Sequence, residues 1–203
     1  MVITGAMMPP KRIKNKPQRR GERRVKLRVS AANKTIMNLN KTFLQSAIKR
    51  LSYYKDLGDK TIAQLSNAEM HSQPNDSSNN MAIIIQHMAG NMFSRWTDFL
   101  TSDGEKEWRN RDAEFEDQGL DKEELIELWS KGWNCLFNTL QGLNEEDLLA
   151  TIRIRGEELS VVDAINRQLA HYPYHVGQMI YLGKIVRDEE WRNLSMPKRD
   201  TGH

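Results

Sequence analysis

Cysteine is almost missing from this 203-residue chain. The single Cys135 excludes an intrachain disulfide framework and fits a reducing compartment. It stands among Trp133, Leu136 and Phe137, a setting that reads as a buried helical thiol with a structural role rather than a nucleophile. Long apolar runs are missing too. The longest, Met81 to Ile85, is five residues, far short of the ~18 that a membrane span requires. A secretory signal needs an apolar stretch behind its basic start, and none follows here. The expectation is a cytoplasmic chain with no membrane partner. Histidine is scarce as well, with only five in the chain.

Charge is plentiful but unevenly placed. A 28% charged and 38% hydrophobic composition, with a mean hydropathy of −0.69, suits one globular domain with a full core at this length. Residues 1–36 carry eleven Lys/Arg and one acid, Glu22, whereas the remaining residues hold 19 basic against 26 acidic. The pI of 8.9 therefore belongs to the N-terminal stretch, and the body is acidic. An acidic body offers phosphates no basic surface, which argues against nucleic acid as the partner of the folded part. Residues 1–36, with Pro9, Pro10, Pro17 and few large apolar residues, are expected to form a disordered basic extension. Such a segment reads as a nucleic-acid-binding arm, an organelle presequence or a membrane-surface tether. The abrupt change of composition at Met37 favours instead translation starting there. Residues 37–198 then form the folded domain, and 199–203 a short tail.

From Leu39 apolar residues recur every three or four positions, predicting an amphipathic helix to about Leu65. Asn67 to Gln73 reads as a helical turn stopped by Pro74, and Asn75 to Asn80 as a polar loop capping a second long helix over about 80–101. A long acidic connection, Glu105 to Gly119, leads to a capping-box start at Asp121–Glu124 for a third helix ending near Gly142. Asn144 caps a further turn, Glu145 to Leu149. Thr151 to Glu157 alternates like a small β-hairpin, and Ser160–Asp163 opens a last long helix reaching about Arg187. The expected fold is all-α, a four-helix bundle with a small β-hairpin before the last long helix. Pro173 sits inside that helix, where its missing amide costs about 3 kcal/mol and predicts a kink.

His171 and His175 are four residues apart on this helix, about 40° around its axis and about 6 Å along it. Both rings then share one face. His203 is terminal and His71 lies in a turn, so both are poor candidates for joining them. His87 follows the run Ile83–Ile85 in the second helix, where a lone buried imidazole would be costly. In a bundle the second and fourth helices can face each other, bringing His87 to His171 and His175. Three neutral imidazoles with one open position suit a catalytic zinc, or nickel and other late first-row ions. The alternative is three ordinary hydrogen-bonded core histidines. Arg167 and Gln178 complete the stripe: Gln178 could accept a ring N–H, and Arg167 could hold a substrate carboxylate or form a structural salt bridge. Asn91, one turn after His87, either reaches the site or is an ordinary capped or solvated residue.

Two segments, Ile85–Met92 and Arg167–Gln178, together resemble the DinB-like superfamily of metal-binding bundles. The likeness is nearest to a subfamily largely without assigned function, which Trp96–Arg111 and Trp191–Lys198 also resemble. It covers about Met37 to Lys198, and its most specific part is the His-x₃-His-x-Gly-Gln ending at Gln178. The resemblance implies a four-helix bundle with a long crossover, a three-histidine site at His87, His171 and His175, and often a homodimer. Some relatives are thiol S-transferases using bacillithiol or another low-molecular-weight thiol; others are isomerases using mycothiol or glutathione. The expected function is transfer of such a thiol to a small-molecule electrophile, with Arg167, Gln178 and Asn91 as candidate catalytic residues and a divalent metal ion as cofactor. A non-catalytic metal-binding module and a metal-dependent hydrolase are the alternatives.

Overall fold

The computed structural model describes residues 17–195, with side chains from Arg24 onward. The chain divides into two units at Leu39/Asn40. Helix α1, Pro17–Ala63, begins within the first unit, so the part of the expected disordered extension from Pro17 to Ile36 is helical instead. Its physical basis is propensity: Arg, Lys, Leu and Ala are good helix formers, and after Pro17 only Gly21 opposes them. Every side chain from Arg24 to Leu39 is exposed, in keeping with a segment too polar to bury a core. The expectations for residues 1–16 and for the 199–203 tail lie outside the described residues.

In the second unit each helix start carries the cap that its sequence provides. Helix α2, Asn67–Met70, opens with a reciprocal capping box between Ser66 and Glu69. Helix α3, Met81–Trp96, is capped by Asn80, whose Oδ1 accepts from the Ile83 amide at 2.9 Å. Helix α4, Lys122–Gly142, has the Asp121/Glu124 capping box. Strands β1, Thr151–Ile154, and β2, Glu157–Ser160, pair antiparallel with Ile152 opposite Leu159. Arg155 and Gly156 both take positive φ (57° and 77°) in the turn between them, the backbone a two-residue hairpin favours. Helix α5, Val161–Arg187, starts at the Ser160 cap and continues through Pro173. The described part is thus mainly helical, with five α-helices and one two-stranded hairpin. Among the described residues, no helix is long and apolar enough to cross a membrane.

Helix α3 is the centre of this unit. Fourteen of its 16 residues are buried, as befits a helix apolar on every side. It packs closely on α4: a Cβ at Gly132 would lie 3.0 Å from the Ala89 Cα. Trp96, Trp133 and Tyr172 are the bulkiest fully buried side chains and join α3, α4 and α5 in one apolar core. The second long helix ends at Trp96 rather than near residue 101, because Thr97 turns extended and Asp98 adopts φ 47°. That early stop lets Phe99 fold back onto the Trp96 ring, centroid to centroid 4.6 Å. The acidic connection that follows carries one short 3₁₀ turn, Ala113–Phe115, and is tied to the hairpin. Asp103 accepts from the Arg155 and Gly156 amides at 2.8 and 2.7 Å, and the Gly104 amide donates to the Arg153 carbonyl at 2.8 Å.

Candidate metal centre

Helices α3 and α5 bring His87, His171 and His175 together, with one ring nitrogen from each lying within 4.8 Å of the other two. Ring centroids are 4.7 Å apart for His171/His175, 4.9 Å for His87/His175 and 5.5 Å for His87/His171. His71 stands apart, its nitrogens bonded to Asp117 and the Leu120 carbonyl. Three imidazoles at this spacing are close enough to hold a metal ion.

The hydrogen bonds around the rings decide which nitrogens are free. His87 Nδ1 lies 3.1 Å from Glu114 Oε2, His175 Nδ1 2.8 Å from Gln178 Oε1, and His171 Nδ1 3.3 Å from Gln168 Oε1. Each partner is an acceptor, so each Nδ1 carries the proton and donates. In the neutral tautomer every Nε2 is then a bare lone pair. The Nε2 atoms of His171 and His175 are 3.0 Å apart, a separation at which two lone pairs repel unless a cation lies between them. Nitrogens bound to one ion at ~2.1 Å each fall about 3.0–3.4 Å apart, for angles from 90° to tetrahedral. The donor set therefore fits a metal, with outer acceptors fixing each ring as metal-binding histidines require.

Two of the rings, His171 and His175, are also kept in the form that binds metal. Burial, then the neighbouring His175 and His87, pushes His171 down to about 3. Burial pushes His175 down to about 4, with His87 adding to the effect and the Gln178 hydrogen bond opposing it. Glu114 is 9% exposed, and burial alone would raise its pKa. The hydrogen bond from His87 and the adjoining Arg109 guanidinium instead hold it below the usual carboxylate range. Arg109 clamps both carboxylate oxygens at 2.7 Å and reaches Glu105 at 3.2 Å.

One side of the cluster opens into a cavity of about 350 Å³, which the three histidines help to line. Phe115 and Tyr174 supply aromatic wall, and five arginines face the same space: Arg95, Arg109, Arg111, Arg155 and Arg167. No acidic side chain lines it among the described residues. Asn91 also lines the cavity; it is buried, not solvated, and its Oδ1 accepts from the Tyr172 hydroxyl at 3.0 Å. That hydroxyl in turn accepts from Trp96 Nε1 at 2.9 Å. Arg167 lines the cavity too, exposed and, among the described residues, without the salt bridge that its position on the helix allowed. Gln178 stands behind His175 as the acceptor of its ring proton, not in the cavity.

Sequence reasoning missed Glu114, Arg109 and Gln168. Gln168 had a readable signal, since it precedes His171 by three residues on the same helix. Glu114 and Arg109 had none, lying in a connection without periodicity. One indirect mark exists on α3. A Cβ at Gly90 would stand 2.2 Å from Glu114 Oε1, so the helix carries a glycine where the carboxylate comes in.

A family model described as "Protein of unknown function (DUF1572)" matches residues 38–200. A search of curated proteins returns no match.

Proposed function

The chain belongs to the DUF1572 family, whose description leaves its activity open, and from its site we propose that it is a metal-dependent thiol S-transferase of DinB-like type. The four long helices, α1, α3, α4 and α5, fit that type of bundle, including the long connection between α3 and α4. The observation that carries the reading is that one ring nitrogen from each of His87, His171 and His175 lies within 4.8 Å of the other two, while each Nδ1 has an acceptor beside it. A divalent ion held there, zinc or nickel, would offer an open position at which a thiol loses its proton.

The chain's own residues do the rest. Glu114, Gln168 and Gln178 orient the rings, and burial keeps His171 and His175 neutral. In this reading a low-molecular-weight thiol such as bacillithiol and a small electrophile meet in the cavity beside the histidines. Sulfur gives its electron pair to the electrophilic carbon, and a C–S bond forms. The bond to the leaving group breaks with its own pair, and the thiol proton passes to solvent or to the departing group. Arg167, beside the histidines and without an acidic partner among the described residues, orients an anionic part of either reactant. Thiol chemistry is favoured over hydrolysis because no carboxylate lines the cavity to act as general base toward water. An open position is favoured over a purely structural ion because the cluster has three protein ligands among the described residues, where structural zinc takes four. A homodimer in the cytoplasm is part of the same reading.

Metal analysis of purified protein, paired with His171→Ala, tests it. Wild type should carry about one divalent ion per chain and conjugate a model electrophile with at least one member of a thiol panel. The variant should lose both metal and conjugation. A wild-type protein that binds metal yet transfers no thiol, and whose variant loses only melting temperature, would establish a structural ion instead.

A further inference from the structure

Five guanidiniums surround one cavity in a chain whose body is acidic. Two carboxylates touch them among the described residues, and both are engaged. Glu114 is clamped by Arg109. Glu105 is divided among Arg109 at 3.2 Å, Arg155 at 3.2 Å and Arg95 at 3.7 Å. Arg95 is 3% exposed and donates to the Gly104 carbonyl at 2.8 Å, while its buried Nε has no acceptor. Arg111 lies over the Phe115 ring, 5.2 Å from its centroid, and Arg167 has no ionic partner among the described residues. A divalent ion at the histidines would add further positive charge within the same space. Such an excess, close to a low-dielectric wall, is unfavourable by itself and attracts anions strongly.

We propose that this cavity is an oxyanion subsite, and that the thiol or its acceptor carries at least two acidic groups, carboxylate or phosphate, bound by Arg111 and Arg167. The inference rests on the thiol-transfer reading for the identity of the ligand, but not for the binding itself. Guanidinium forks grip carboxylate and phosphate through paired N–H donors, which a lysine ammonium could not match. The two groups needed are those that no carboxylate meets among the described residues, whereas the clamped Arg109 is committed to Glu114. The subsite adjoins His171 and His175, so an acid-bearing thiol held there has its sulfur end near the open side of the centre.

The test is calorimetric titration of the full chain, metal-free and zinc-loaded, with succinate, inorganic phosphate and acetate. Wild type should bind succinate or phosphate at least tenfold more tightly than acetate in both forms. Arg111→Gln/Arg167→Gln should weaken that binding at least tenfold with little change in melting temperature, since both side chains are exposed and neither has a carboxylate partner among the described residues. A charge-matched control, Arg153→Gln/Lys184→Gln, should retain wild-type affinity. Preference for succinate identifies carboxylate groups and preference for phosphate identifies phosphoryl groups; either upholds the subsite. Equal losses in the control, no saturable binding, or binding that needs zinc and ignores the double variant would overturn it. Anion binding without any thiol transfer would leave the subsite standing and remove the transferase reading. Equally fast transfer of a thiol bearing two acidic groups by wild type and double variant would remove the subsite alone.

Discussion

Replacing Gly90 with alanine sets a helix's own preference against the needs of the metal centre. In the interior of a helix the exchange normally stabilises by about 1 kcal/mol. Here the new Cβ would sit 2.2 Å from Glu114 Oε1 and 2.7 Å from its Cδ, well inside van der Waals contact. Glu114 has no easy retreat, because Arg109 holds both oxygens at 2.7 Å and His87 Nδ1 lies 3.1 Å from one of them. Pushing it out leaves the Arg109 side chain, 2% exposed, as a buried charge with only Glu105 beside it. Breaking a buried pair in this way typically costs 3–5 kcal/mol, so the net loss after the helix gain is about 2–4 kcal/mol. His87 also loses the acceptor that fixes its tautomer, which should weaken metal binding by about 10- to 100-fold. Urea unfolding of the metal-free protein reads the first quantity, and competition with a chromophoric chelator reads the second. Gly177→Ala is the control, since nothing stands within 4 Å of a Cβ there; it should stabilise by up to about 1 kcal/mol and leave metal affinity alone. If Gly90→Ala behaved like Gly177→Ala in both measurements, the placement of Glu114 beneath His87 would be wrong.

The metal-free protein should lose stability as pH falls from about 6.5 toward 4. His171 and His175 are held near 3 and 4 in the fold and return to the ordinary 6.5 on unfolding, so in that window the unfolded chain binds the extra protons. Thermal midpoints at pH 7, 5.5 and 4.5 check this, and a flat profile in wild type that matches a His171→Ala/His175→Ala variant would contradict it. Gln178→Leu removes the acceptor at 2.8 Å from His175 Nδ1 and should lower metal affinity about tenfold or more; chelator competition giving wild-type affinity would exclude that role. Tyr172→Phe strips the Trp96 indole N–H of its acceptor and Asn91 of its donor in a fully buried site. Denaturant unfolding should show a loss of about 2–4 kcal/mol, and a change under 0.5 kcal/mol would argue against the buried network.

Local chemistry is what made most of the fold readable. Asn80, Asp121 and Ser160 announce helix starts because a short polar side chain satisfies free amides wherever a helix begins. The Arg155-Gly156 turn is equally local, as is the four-residue step that puts His171 and His175 on one face. Charge and composition misled at Pro17–Ile36, where helix propensity acts and every described side chain is exposed, and the end of α3 was misplaced because Asp98 leaves the helical region at a residue with no glycine to mark it. Tertiary packing alone decided how the centre is finished. Glu114 and Arg109 arrive from an irregular connection whose path has no period to read, steered by Asp103 and Gly104 against the hairpin. Packing of α3, α5, the connection and the hairpin together gathers arginines spread from residue 95 to residue 167 around one cavity. Hydrogen-bond caps and helical spacing act over a few residues and leave their mark in the sequence; contacts between segments distant along the chain depend on where every other element has packed.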